Sequence, residues 1–313
     1  MAYSFSGQQN IRGIDIDKLA KGFAEEDIVL KRFVTVTTTS AREIRWYQKI
    51  AGFIAAASPA TVGINAPLAL PSVLEQSWQR QTSQVKKFFV ESPLLSDEDI
   101  KDTDIDVLAA NIHDLTRAVN HAVDIRIYDI LGEIAHTAGG TQISGTNNFT
   151  GYSSGTYTQV YTQTNAAAAA WSTASFTGVN PIADFMIAKA NIRNYAYDPE
   201  GAVAVMTPLQ HRYLVDWLIS NKGSSIPVFA SEKVQDGVVM NFLGVRIVVN
   251  LVACSGSIVI FVPQRSATWK SFVPITAAQV PDIGIGTKIR IWEEGECLLT
   301  DPKSVNVITG LGC

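Results

Sequence analysis

Only three cysteines occur in 313 residues, Cys254, Cys297 and Cys313, and no two of them form a CxxC pair. An odd, scattered set excludes a disulfide framework and a conventional zinc knuckle, and it suits a reducing cytoplasm. No run of lysine or arginine exists, and the formal net charge of -4 lacks the basic footprint of a dedicated nucleic-acid binder. Met1 to Asn10 has no apolar centre of a secretory leader, so export by that route is not expected. Charge itself is missing from two stretches, one between Lys49 and Glu75 and the other from Thr137 to Ala183. The first holds an apolar run, Gly52 to Leu74, of membrane-spanning length, but Pro59, Asn65, Pro67 and Pro71 argue against a spanning helix.

What remains is 47% hydrophobic and 17% charged, the balance of a globular chain large enough for two domains or one elaborated domain. Its organising stretch is Ser96 to Ala135. Apolar residues recur there at Ile105, Leu108, Ile112, Leu115, Val119, Val123, Ile127, Ile130 and Ile134, a three-and-four spacing that paints one stripe along a helix. Ser96 with Asp99 and Thr103 with Asp106 are both capping-box patterns, which predicts a short first turn at Ser96 and a long helix from about Asp104. At 1.5 Å per residue such a helix would be about 45 Å long.

Before this spine, Met1 to Arg32 reads as a polar arm. Phe33 to Thr39 alternates as a strand, with Val85 to Val90 as its expected returning partner. The apolar connection between them must fold back on its own chain or be covered by a neighbour, and its length favours the neighbour. After the spine, the uncharged stretch reads as a loop or thin hairpin insertion with a short helix at Ala166 to Ala170, and it marks a domain boundary. Asn180 then caps a helix opening at Pro181, with Phe185, Ile192 and Tyr195 on one face. Ala202 to Met206 is a buried central strand by composition, and Thr207 and Pro208 open a second helix with Leu214, Trp217 and Leu218 inward. From Val238 the chain is β-rich, with strands expected at Gly244 to Asn250, Ile258 to Val262, Thr287 to Trp292, Cys297 to Leu299 and Val305 to Ile308. The fold class is α+β with mixed sheets.

Chemical motifs fail on context. Gly151-Tyr152-Ser153-Ser154-Gly155 spells a nucleophile elbow, yet no apolar strand precedes it and no helix follows, so a hydrolase using Ser153 is disfavoured. Asp102, Asp104 and Asp106 resemble a calcium loop, but Val107 and His113 stand where glycine and glutamate are required. His113, His121, His136 and His211 show no metal-ligand spacing, Gly284 and Gly286 lack the rest of a dinucleotide fingerprint, and there is no P-loop. Asn148 sits in a glycosylation sequon that matters only for a secreted protein, and a surface-binding role for the uncharged stretch is disfavoured by the missing leader. No catalytic, cofactor-binding or metal-ligating residue is nominated, no cofactor is expected, and the chain does not read as an enzyme.

The order of parts is more specific than any motif. The approach to the spine (Leu94-Leu95-Ser96-Asp97-Glu98-Asp99-Ile100), the segment Ala202-Val203-Ala204-Val205-Met206-Thr207-Pro208, the strand Phe242-Leu243-Gly244-Val245-Arg246-Ile247-Val248-Val249 and the ending Leu298-Leu299-Thr300-Asp301-Pro302 follow one another at characteristic spacing. In that order the chain resembles the HK97-like major capsid proteins of tailed bacteriophages and related viruses. The resemblance implies an N-terminal arm (1–33), an extended loop (34–92), a peripheral domain (93–136 and 275–299), an uncharged bridging insertion (137–179) and an axial domain (180–274 and 300–313).

The resemblance further implies self-assembly into pentamers and hexamers that form an icosahedral shell around double-stranded DNA, made in the host cytoplasm and located in the virion. Its partners would be copies of itself, a separate scaffolding protein, a portal and decoration proteins, with DNA enclosed without sequence-specific contacts and no membrane. Some relatives cross-link a loop lysine to an asparagine of the late peripheral strands. Lys86 and Lys87 could supply the first group, but Pro281 to Trp292 contains no asparagine, so cross-linking is not expected. An encapsulin-like shell enclosing a cargo enzyme shares the fold and is the alternative.

Overall fold

The computed structural model describes residues 30–49, 78–96, 107–132, 135–136, 142–143, 162–173, 177–222 and 241–312. A 3-10 turn (Leu30–Arg32) leads into β1 (Thr35–Thr38). The strands β2 (Glu43–Lys49) and β3 (Trp78–Gln84) form a ribbon, and β4 (Lys86–Glu91) and β5 (Leu95–Ser96) precede helix α1 (Val107–Gly132). Two short strands, β6 (Ala135–His136) and β7 (Gln142–Ile143), pair with each other. Then come β8 (Gln163–Ala166), α2 (Pro181–Arg193), β9 (Val203–Met206), α3 (Pro208–Lys222), β10 (Asn241–Phe242), β11 (Val245–Val249) and β12 (Ser257–Phe261). The long strands β13 (Ala267–Asp282) and β14 (Gly286–Leu299) are followed, after a second 3-10 turn, by β15 (Val305–Thr309).

Two sheets share one helix. The first runs β1-β13-β14-β4, with β5 pairing beyond β4 on β14, and the second runs β10-β11-β9-β12-β15-β8. Along α1 the predicted stripe is inward: Ile112 and Leu115 are half-buried, and Val119, Val123, Ile127 and Ile130 are buried. Val119 packs on Ile289 and Ile291 of the first sheet. Val123, Ile127 and Ile130 join a core with Val203, Val205, Val259, Phe261, Val305 and Val307 of the second. Each buried isoleucine is worth about 1.5–3 kcal/mol, so the helix ties both sheets together through apolar contact. The other face of the six-stranded sheet is covered by α2 and α3 through Phe185, Ile192, Leu214, Trp217 and Leu218.

The start signals of α2 and α3 work as their residues dictate. The Asn180 side chain accepts a hydrogen bond from the Ala183 N–H with Pro181 first in the helix. At α3, the Thr207 Oγ1 accepts from the Gln210 N–H while Gln210 Oε1 accepts from the Thr207 N–H, a reciprocal capping box. β9 is buried at all four residues in the middle of its sheet, as its uninterrupted apolar run predicts.

Several expectations are corrected. β1 does not pair with Val85 to Val90; it lies parallel to β13, Thr35 against Thr268, while β4 pairs with β14. Hence β1 and β4 are strands of the first sheet, while β2 and β3 pair with each other as a separate two-stranded ribbon. Leu95 and Ser96 form β5, which pairs with Thr287 and Gly286, and Gly286 has no side chain because a Cβ there would strike the Leu95 carbonyl; the first turn expected after Ser96 lies outside the described residues. The expected helix start at Asp104 lies outside the described residues. Ala166 to Ala170 form no helix. Instead β8 pairs parallel to β15, and Ala167, Ala169 and buried Trp171 pack into the second core. Thr287 to Trp292 and Cys297 to Leu299 are one strand, in which the buried Glu293 and Glu296 between them meet Lys31 and Arg126.

Candidate assembly surface

Three apolar or aromatic surfaces stand clear of both cores. The first is the β2–β3 ribbon. Ile44 and Trp46 bury against Leu298, with Trp46 Nε1 donating to the Leu299 carbonyl at 3.1 Å, so the root of the ribbon is fixed while Tyr47 is 63% exposed. The apolar connection it carries, residues 50–77, lies outside the described residues.

The second is the far half of the β13–β14 hairpin. β13 carries no charge between Lys270 and Asp282, and Ile275, Val280 and Ile285 are exposed. At the turn, Ile283 is 95% exposed, beside Gly284 at φ +81°. The turn closes with the Ile285 N–H donating to the Asp282 carbonyl at 3.0 Å. Branched apolar side chains held at the tip of a hairpin contribute nothing to their own core, and such patches mark contact surfaces.

The third is the Phe89–Trp292 patch, where those two residues face one another across β4 and β14. The Lys87 ammonium lies 5.8 Å from the Phe89 ring centre and 5.6 Å from that of Trp292, within cation–π range. Phe89 is 66% exposed. Beside it Arg290 donates to Glu91 through Nε at 2.8 Å and Nη2 at 2.5 Å, and this holds the Glu91 carboxyl below the usual carboxylate range.

Between the hairpin and α1 lies a buried ionic junction. Arg126 of α1 donates to Glu296 Oε1 through Nε at 3.0 Å and Nη2 at 2.7 Å. Burial pushes the Glu296 carboxyl up, with Arg126 opposing, and burial next to Arg126 pulls the Lys86 ammonium down. Lys31 Nζ meets Glu293 Oε1 at 2.5 Å while sitting 5.5 Å from the Trp269 ring centre. The second oxygens of Glu293 and Glu296 accept no hydrogen bond among the described residues.

The sequence matches no protein-family model and no curated protein. Its structure is similar to solved capsids along nearly its whole length. It superposes on the capsid of the native GTA particle, computed with C5 symmetry, with a TM-score of 0.68 at 11% identity, covering 99% of each chain. On the capsid of the cyanophage P-SCSP1u the TM-score is 0.65 at 10% identity, over 96% of this chain and 93% of that one. The capsid of the Myoviridae phage XM1 gives 0.62 at 14%, over 97% and 98%. This is the HK97-like capsid fold.

Within the HK97-like fold the sequence motifs fall apart as chemistry. Ser153, Asp102, Asp104, Asp106, Asn148 and Cys313 lie outside the described residues. His113 is exposed on α1, with its Nδ1 3.8 Å from Asp114, and His121 is exposed two turns further on. His211 is on α3 and His136 on β6, so the histidines are not gathered. Among the described residues, no group of three or more His, Cys, Asp or Glu side chains could hold a metal ion, and no helix is long and apolar enough to cross a membrane. Cys254 and Cys297 are both buried thiols, and burial pushes the Cys297 thiol well up. Gly284 lies in the hairpin turn and Gly286 opens β14. Lys87 pairs with Glu294 at 3.6 Å, on the first sheet and not on the β2–β3 ribbon. Sequence reasoning missed Ile283 and Ile285; two isoleucines flanking a turn glycine, where a soluble hairpin would carry polar residues, are the signal that could have found them.

Proposed function

We propose that this chain is the shell subunit of a viral capsid, assembling as pentamers and hexamers into an icosahedral shell around double-stranded DNA. The observation that carries the reading is the match to phage capsid chains over nearly the whole length, at TM-scores of 0.60 to 0.68. The exposed isoleucine tip and the Phe89–Trp292 patch support it, because a fold that leaves such surfaces open needs copies of itself to cover them. A heterologous contact between two unlike patches closes into rings when its rotation closes. Catalysis has no part in this function, and a scaffolding protein, portal and decoration proteins would be separate chains.

The test is electron microscopy of the purified full-length protein after gel filtration, with the ultraviolet absorbance ratio of particles taken from infected cells. Closed shells, with nucleic acid inside the natural particles, are expected. A stable monomer at high concentration would overturn the proposal, and particles filled with a protein cargo instead of DNA would redirect it to a nanocompartment.

A further inference from the structure

The first sheet ends at β4, which among the described residues has β14 as its only strand neighbour. Its residues, Lys86-Lys87-Phe88-Phe89-Val90-Glu91, pair with β14 in one unbroken register, without bulge, proline or glycine. An edge of that kind offers a row of main-chain donors and acceptors to another strand. Ser92, next along the chain, donates its N–H to the Ile289 carbonyl at 2.8 Å. Alternation along the strand therefore points the N–H and C=O groups of Lys87, Phe89 and Glu91 away from β14. The side chains of the same three residues stand on the exposed face, while Phe88 and Val90 pack inward with Val119, Ile289 and Ile291.

Read along the edge, the exposed side chains run cation, ring, anion, and that order is its own complement. A two-fold axis perpendicular to the sheet lays β4 antiparallel to β4 of a second copy and keeps the exposed faces of both on one side, so exposed residues stand opposite exposed residues. One register that meets this condition centres Phe89 on Phe89 of the second copy and sets Lys87 opposite Glu91 in both directions. The next registers on either side set Lys87 against Phe89 or against Pro93, and both lose the two ion pairs. In the favoured register Trp292, which already faces Phe89 across β14, extends the rings into a row of four, with Lys87 within cation–π range of Phe89 and Trp292. No bare charge is brought to the contact, because Lys87 already meets Glu294 at 3.6 Å and Glu91 already accepts from Arg290. Charged side chains on an edge ordinarily turn foreign strands away, and in this order they admit a copy of the same strand.

We propose that β4 is a two-fold contact between copies of this chain: it pairs antiparallel with β4 of a second subunit, Phe89 on Phe89 and Lys87 on Glu91, and joins two first sheets into one. The proposal rests on the reading of the chain as a subunit that assembles with its own copies, and it names one of the contacts. An isologous contact of this kind links rings that heterologous contacts have closed.

The test is disulfide trapping on the full-length chain in a Cys313→Ser background, where the remaining native thiols, Cys254 and Cys297, are buried. Opposite residues of a hydrogen-bonded antiparallel pair lie about 5.5 Å apart at Cα, within the roughly 4.4–6.8 Å that a disulfide spans. Under copper–phenanthroline oxidation Phe89→Cys is therefore expected to run largely as a covalent dimer on a non-reducing gel. Lys87→Cys and Glu91→Cys, which are also exposed, should each give at least about tenfold less dimer, since each stands four residues, roughly 14 Å, from its own copy. The variant carrying both cysteines should cross-link again. Cross-linking of Phe89→Cys no greater than that of Lys87→Cys, or failure of the combined variant, overturns the pairing, and closed shells in the same samples by electron microscopy would then leave the shell reading standing without it. Trapped dimers in samples that never form shells would keep the pairing and refute the shell.

Discussion

Replacing Ile283 by aspartate isolates assembly from folding. Ile283 keeps 95% of its surface exposed in the single chain, and the adjacent turn bond is made by the Ile285 N–H and Asp282 carbonyl, so the substitution disturbs no core contact and no backbone bond. The fold should barely register it, since exposed substitutions away from special features stay within about 0.5 kcal/mol. Burying an isoleucine against a neighbour is worth about 1.5–3 kcal/mol, all of it still available at this position. Losing about 2 kcal/mol per contact weakens that contact roughly thirtyfold, and the carboxylate adds a desolvation cost in the same direction. The concentration at which shells appear, followed by light scattering and confirmed by electron microscopy, should therefore rise by roughly thirtyfold or more while Tm stays unchanged. Assembly at the wild-type concentration would refute the assignment of the tip as a contact surface. A marked fall in Tm would refute the claim that Ile283 lies outside the core.

Gly295→Ala should destabilise the subunit by about 1–3 kcal/mol in a urea melt, because the new Cβ would meet Trp269 Cζ2 at 2.5 Å and the Lys270 carbonyl at 2.9 Å; a change below about 0.5 kcal/mol would show that the tryptophan can move aside. Since burial raises the Glu296 carboxyl, folding favours its protonated form, so its contribution is whole below the ordinary value near 4 and is lost as pH rises through the folded value. Relative to Glu296→Gln, the wild type should accordingly lose stability as pH rises above about 4, and a gain would contradict the assignment. Cys254 and Cys297 should label with a thiol reagent at neutral pH only on unfolding, and rapid labelling of either in the native chain would place it at the surface.

Local signals were legible and long-range pairings were not. Asn180-Pro181 and Thr207-Pro208 announce their helices because a cap needs only the residues within one turn of it. The stripe from Ile112 to Ile130 and the apolar run of β9 likewise read out correctly, since burial on one face or both is written in the residues themselves. The parallel pairing of β1 with β13 has no such signature: Thr-Val-Thr-Thr suits any edge, and proximity suggested the wrong partner. The break expected in β14 arose from Glu293, Glu294 and Glu296, which look like solvated residues until Lys31 and Arg126 are seen beside two of them. β8 was hidden because its buried partners are amides: Asn165 and Asn306 bond to each other and Asn191 bonds to Asn306, so a polar strand satisfies an interior position. The isoleucine tip was visible as letters but gained meaning only when the turn proved to leave Ile283 almost wholly exposed.

The late arrival of β13 governs how the chain can be made. β1 waits some 230 residues for the strand it lies against, and at about 5–20 residues per second that is roughly 10 to 50 s of synthesis. The six-stranded sheet is equally incomplete until β15 slots between β12 and β8. A nascent chain therefore has no closed hairpin, and no strand for β1 to lie against, until residues 267–299 have left the ribosome.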